Sequence, residues 1–231
     1  MELGERQLAL TPGDHDVCYD LAVRYAQLDK LDQAVSTFRE LICRVPDNCS
    51  VYNDLGNVYF EKEEFQAAKD CYLQSLSAKP HFFHALYNLA NLHLLAGELD
   101  ESRDAYNRAL EIYPECAQVY SNLGIICEKR GEYEEATRRC EQAISLNPYL
   151  PQVYNNLGVL CGKKGDLLRA EESYLKAIDL NNGYAEAYQN LGNLYFSKGE
   201  KDKAVKMFEE AQRCGRELSG SNSHLKVWAG G

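Results

Sequence analysis

Residues in this chain recur every 34 positions, with none inserted or lost, from His15 to Leu218. Six consecutive segments, 15–48, 49–82, 83–116, 117–150, 151–184 and 185–218, therefore share one register. Position 7 of the segment is Leu21, Leu55, Leu89, Leu123, Leu157 and Leu191. Position 8 is always small: Ala22, Gly56, Ala90, Gly124, Gly158 and Gly192. Position 24 is Phe38, Tyr72, Tyr106, Cys140, Tyr174 and Phe208. Position 32 is Pro46, Pro80, Pro114 and Pro148, then Asn182 and Arg216. A fixed period in this range leaves one architecture, a solenoid of stacked supersecondary units that bury a continuous core only by packing on their neighbours.

Within each segment the spacing predicts two helices. In the fourth they span about Gln118–Arg130 and Tyr133–Asn147. Gly131 separates them, as Gly97, Gly165 and Gly199 do elsewhere, since glycine accepts the left-handed turn that ends a helix. Asp29 and Glu63 stand at that position in the first two segments, so those turns are expected to be looser or strained. The prolines stop the second helix, having no N–H to donate and disfavouring a helical residue before them. A residue advances about 100° around a helix, so positions 4, 7, 8 and 11 share a face toward the partner helix. There the small residue at position 8 permits close approach, and the aromatics at 4, 11 and 24 fill the core.

This small–large code resembles the tetratricopeptide repeat. The resemblance covers nearly the whole chain and implies an all-α fold, a right-handed superhelical α-solenoid of helix–turn–helix repeats. In that fold the first helices line the concave side.

Acidic residues outnumber basic ones 35 to 25, a net charge of −10, which argues against nucleic acid as a partner. Nine cysteines include Cys18, Cys127, Cys140 and Cys161 at core positions; there is no CxxC pair and the number is odd. Those features favour buried free thiols and a cytoplasmic, reducing setting over a disulfide framework. No apolar run approaches the roughly 18 residues of a membrane span, so membrane insertion is not expected.

Both ends need caps. Leu8 to Pro12 fall on positions 28–32 of the frame, so residues 1–14 read as a partial helix covering the first repeat. From Gly215 the register is lost, and 219–231 read as a polar tail, a weak or absent cap. Leu225, Val227 and Trp228 either fold back over the last repeat or leave an apolar edge for self-association.

Positions 2, 5, 6, 9 and 13 fall opposite the core. Position 6 is Asp20, Asp54, Asn88, Asn122, Asn156 and Asn190, an amide ladder; Asn57, Asn91 and Asn193 at position 9, and Asn53 and Asn155 at position 5, thicken it. Asparagine is a mediocre helix former, so its recurrence on a solvent face points to use. Its amide both donates and accepts, and can bond the C=O and N–H of an extended peptide without reading side chains. The ladder is similar to that in the repeats of O-linked N-acetylglucosamine transferase, where asparagines hold substrate backbone; that enzyme's catalytic domain has no counterpart here. The competing reading is that asparagine is the repeat's habitual exposed polar residue.

Chaperone-binding members of the family grip a terminal carboxylate with basic residues and asparagines. Asn57 and Asn88 match the neutral part of that clamp, but Asn53, Gln118 and Asn122 replace the basic part, so such a clamp is not expected. His81 and His84 straddle a helix start and His93 takes a core position; no ligand set has metal spacing, so neither a metal nor a cofactor is expected. No catalytic triad or phosphate loop appears. The expected function is non-enzymatic, a scaffold that holds an extended peptide segment of a partner protein in the concave groove. Two alternatives stand beside it, an oligomerising structural repeat and a recognition arm for an enzyme on another chain. On the inner positions, Asp16, Asp20, Asp54 and Glu61 mark the first two repeats, and Lys129 and Lys163 the fourth and fifth with no acid beside them. Such a gradient would orient a peptide by charge.

Overall fold

A computed structural model of the chain describes residues 15–220, without the side chains of 216–220. Twelve α-helices and no strand occupy these residues, two helices to each repeat. They are α1 (His15–Gln27), α2 (Leu31–Arg44), α3 (Cys49–Glu61), α4 (Phe65–Ala78), α5 (Phe83–Ala96) and α6 (Leu99–Ile112). Then follow α7 (Ala117–Lys129), α8 (Tyr133–Leu146), α9 (Pro151–Lys163), α10 (Leu167–Leu180), α11 (Ala185–Ser197) and α12 (Lys201–Gly220). The helices of the fourth repeat lie within a residue of their expected bounds. The described residues divide into two compact units, one through Pro114 and one from Glu115. The expected N-terminal cap and the apolar residues of the tail lie outside the described residues.

One device closes every repeat's internal turn. The N–H at position 16 bonds the C=O at position 11, as in Lys30 to Tyr25, Glu64 to Tyr59 and Glu98 to His93, each at 2.9 Å. This six-residue closure is the Schellman arrangement and needs a left-handed residue between the helices. Gly97, Gly131, Gly165 and Gly199 supply it with φ of 77–83°. Asp29 and Glu63 take the same conformation, at φ 58° and 61°. Those two turns are therefore not looser; they keep the shape and carry the strain of a side chain in the left-handed region.

Inside each helix pair, position 8 meets position 24. A methyl group on Gly56 would come within 2.5 Å of the Tyr72 ring, and one on Gly158 or Gly192 equally close to Tyr174 or Phe208. Phe38, Tyr72 and Tyr106 are almost wholly buried there, each contributing about 1.5–3 kcal/mol by its removal from water. At position 20, Ala34, Ala68, Ala136 and Ala170 are sealed. Ser102 fits the same place because its hydroxyl donates to Ala90 O at 2.8 Å. The four cysteines expected in the core are buried, and burial pushes the Cys140 thiol up to about 12.

Within each unit the pairs stack in chain order, and successive first helices also touch: α1 on α3 on α5, and α7 on α9 on α11. The last helix departs from the sequence reading. Gly215 to Gly220 remain helical instead of opening into a tail. Arg216 stands where proline follows four of the earlier second helices, but the missing proline is not the whole reason, since Asn182 holds that place in the fifth repeat and α10 still ends at Leu180.

Candidate functional site

The stacking of first helices sets what the ladder residues touch. At three places within the units, position 5 of one first helix faces position 6 of the next, a separation of 35 residues. Tyr19 Oη donates to Asp54 Oδ2 at 2.5 Å. Asn88 Nδ2 donates to Asn53 Oδ1 at 3.0 Å, and Asn190 Nδ2 to Asn155 Oδ1 at 2.9 Å. Asn53 and Asn155, expected on a solvent face, are thus buried, at 5% and 0% exposure. A single-helix projection leaves out the neighbouring first helix, which covers that stripe. Asn155 is further tied by its Nδ2 to Glu186 Oε1 at 3.1 Å.

Position 9 is reached from beneath. Tyr72 Oη donates to Asn57 Oδ1 at 2.9 Å, and Tyr106 Oη likewise bonds Asn91 Oδ1. Each tyrosine is the position-24 core aromatic of its own repeat. Asn57 Oδ1 also accepts from Asn88 Nδ2 at 2.9 Å. Asn88, Asn122 and Asn156 are half-buried at position 6, as is Asn190, whereas Asn193 is exposed above Phe208, which has no hydroxyl. In the first unit the amides of Asn53, Asn57 and Asn88 therefore come together with Asp54. In the second, Asn155 and Asn190 do.

Tyr19, at position 5, was given no role, and the hydroxyls of Tyr72 and Tyr106 were missed by reading the position-24 aromatics as core filling alone. The recurrence of tyrosine 15 residues after asparagine in the second and third repeats is the trace they leave. A second feature also went unread. At positions 1, 2 and 5 of the third repeat, Phe83 lies edge-on to His84, and Tyr87 stacks on Phe83 with ring centres 6.0 Å apart.

The charged positions are less uniform than their sequence suggests. Asp54 is half-buried; burial raises its pKa, opposed by the hydrogen bonds from Tyr19 and Asn53 and by the nearby His84. Asp16, Asp20 and Lys129 are exposed and Glu61 half-buried. Lys163 is not the isolated base expected: its Nζ pairs with Glu128, at position 12 of the preceding repeat. Position 12 adjoins the inner stripe through this contact, which the projection of one helix excludes.

Of the histidines, His81 is exposed, His84 packs against Phe82 and Phe83, and His93 is buried with its Nδ1 on Glu98. Lys69 Nζ lies 3.3 Å from the same Glu98 carboxylate, and both contacts hold that carboxyl below its usual range. No group of three His, Cys, Asp or Glu among the described residues could hold a metal ion. No described helix is long and apolar enough to cross a membrane.

With this geometry in place, the comparisons agree with the resemblance read from the repeats. Residues 82–148, 115–183 and 149–217 match a family model described as Tetratricopeptide repeat, and residues 50–82 match another of the same description. The chain belongs to the tetratricopeptide-repeat family, an all-α solenoid of protein-interaction scaffolds. A solved structure of MamA is 26% identical, with 72% of this chain and 97% of that one covered and a TM-score of 0.60. PilF of Pseudomonas aeruginosa, at 19% identity, covers 91% of this chain and 94% of its own with a TM-score of 0.75. YrrB, described as a TPR protein with an unusual peptide-binding site, has 21% identity, 77% and 91% coverage, and a TM-score of 0.58. The last two are likenesses of fold. A search of curated protein sequences found no match.

Proposed function

We propose that this chain is a non-enzymatic scaffold that binds an extended segment of a partner protein across the first helices of a unit. The bonds of that grip run to the partner's main chain. The observation that carries this reading is the convergence of Asn53, Asn57 and Asn88 from two successive first helices of the first unit. Amides held side by side on half-open helix faces suit hydrogen bonding to an extended backbone, since together they retain a donor on Asn57 and an acceptor on Asn88. In the second unit the half-buried Asn190 offers a smaller version, held in place by the buried Asn155. Asp20 and Lys129, exposed on the inner stripe, would act on association rate and orientation more than on final affinity. The reading is tested by selecting 12-residue peptides from a random displayed library on the immobilised chain. Recovered peptides should bind the Asn88→Ala variant several-fold more weakly, a neutral hydrogen bond being worth about 0.5–1.5 kcal/mol. A library that yields no binder, or binders indifferent to Asn88→Ala, overturns it.

A second reading, association of copies through the last repeat, has its own observation. Val205 is 54% exposed on α12, and it lines an open hollow with Ala185, Phe208 and Ala211 between α11 and α12. Sedimentation across a concentration series separates the two, since a Val205→Glu variant should abolish any such association and leave peptide binding intact.

A further inference from the structure

Tyr72 is 2% exposed and packs its ring on Gly56, yet its hydroxyl ends on a residue of the open helix face. The amides beyond it form a chain whose polarity is determined. Asp54, as a carboxylate, only accepts, so Asn53 presents Nδ2 to it at 3.1 Å and turns its Oδ1 away. Asn88 Nδ2 meets that Oδ1 at 3.0 Å and gives its other hydrogen to Asn57 Oδ1 at 2.9 Å. Tyr72 Oη donates to the same Asn57 oxygen. Asn88 has thereby used both hydrogens, and Asn57 holds two donors on its carbonyl. Two functions remain side by side: Asn57 Nδ2, a donor, and Asn88 Oδ1, an acceptor. Neither has a hydrogen-bond partner among the described residues, and neither is sealed from solvent.

No single asparagine here can bond both main-chain groups of a ligand, because the carbonyl of one and the amino group of the other are already engaged. The pair can. In an extended chain the N–H and C=O of one residue project to the same side, as they do toward a neighbouring strand. We propose that Asn57 and Asn88 form a subsite for one residue of the partner's main chain, with Tyr72 as the positioning residue that fixes its polarity. Asn57 Nδ2 donates to that residue's carbonyl, and Asn88 Oδ1 accepts its N–H. The inference rests on the peptide-binding reading and narrows it. The residue seated there must have an N–H, so proline and N-methylated residues are excluded, while its side chain, pointing elsewhere, is unrestricted.

The experiment uses a peptide recovered by the library selection, made as a set in which each residue in turn is N-methylated. Wild type should lose about tenfold or more in affinity at one residue, the scale of one well-made hydrogen bond and the unpaired acceptor left behind. Tyr72→Phe keeps the ring over Gly56 and frees the Asn57 amide to turn. It should weaken the unmodified peptide about fivefold to tenfold and leave the peptide methylated at that residue unchanged, so the discrimination collapses. A role confined to packing would lower every peptide alike. Asp54→Asn, altered at the other end of the chain of amides, should collapse the discrimination in the same way and serves if Tyr72→Phe is unstable. If no peptide is recovered, the binding reading fails and takes this inference with it. If a peptide binds through Asn88 but the methylation scan is flat, or both variants lower all peptides equally, the subsite alone is overturned.

Discussion

Tyr59 is 4% exposed and its hydroxyl has no hydrogen-bond partner among the described residues, with Arg39 above its ring. Burying an unsatisfied hydroxyl is unfavourable by about 1–3 kcal/mol, so Tyr59→Phe should hold or raise the thermal midpoint. A fall of several degrees would show that the hydroxyl is bonded in solution. The position-8 contacts make a paired prediction. Gly158→Leu drives a side chain into Tyr174 and should cost about 1–3 kcal/mol or more by overpacking. Gly124→Ala, whose nearest neighbour is the Cys140 sulfur at 3.3 Å, should be tolerated and gain some helix propensity. Chemical denaturation of both variants decides, and equal losses would mean that ring and thiol yield alike. The core side of each helix was thus legible residue by residue. The inner stripe was legible only as a set of positions, because the identity of each amide's partner depends on the adjoining repeat. Asn53 and Asn155 reveal this: the same wheel that placed them on a solvent face ignored the helix that covers them.

At the scale of the element, the interhelical turn is the most uniform structure in the chain and the place where two repeats break the local rule. Glycine relieves a left-handed position that costs other residues about 1–2 kcal/mol. Glu63→Gly should therefore stabilise the first unit, with an upper limit near that figure, since glycine also loses more freedom on folding. Calorimetry showing an unchanged or lower midpoint would mean that Glu63 has compensating contacts. Turn and helix bounds were readable because glycine, proline and the 34-residue spacing act within a single repeat. The run of α12 through Gly220 was not, since Asn182 and Arg216 both replace the proline, yet α10 ends at Leu180 and α12 does not end at the matching place.

For the whole molecule, pH acts through several carboxylates at once. Glu98, Glu171 and Glu200 are held below their usual range, first by hydrogen bonds from His93, Lys198 and Lys203 respectively. A depressed carboxylate contributes stability above its unfolded value, about 4.3, and loses it as pH falls through the folded one. Asp54 works oppositely, since its raised pKa means that protonation relieves a desolvated charge. With the lowered groups in the majority, urea midpoints should fall between pH 6 and pH 3, and Asp54→Asn should gain most at neutral pH and least in acid. A flat profile would show that these pairs are screened. The bond from position 5 to position 6 of the following repeat has a further consequence, at the level of the gene. Three junctions within the units are specified by the same two positions, so a 34-residue block there carries both halves of the match. Excising 49–82 would set Tyr19 beside Asn88, a hydroxyl against an amide. Copying it would set Asn53 beside another Asp54, donor against acceptor. Either product rejoins with compatible chemistry at the seam, which lets the array grow or shrink by unequal recombination without a compensating mutation.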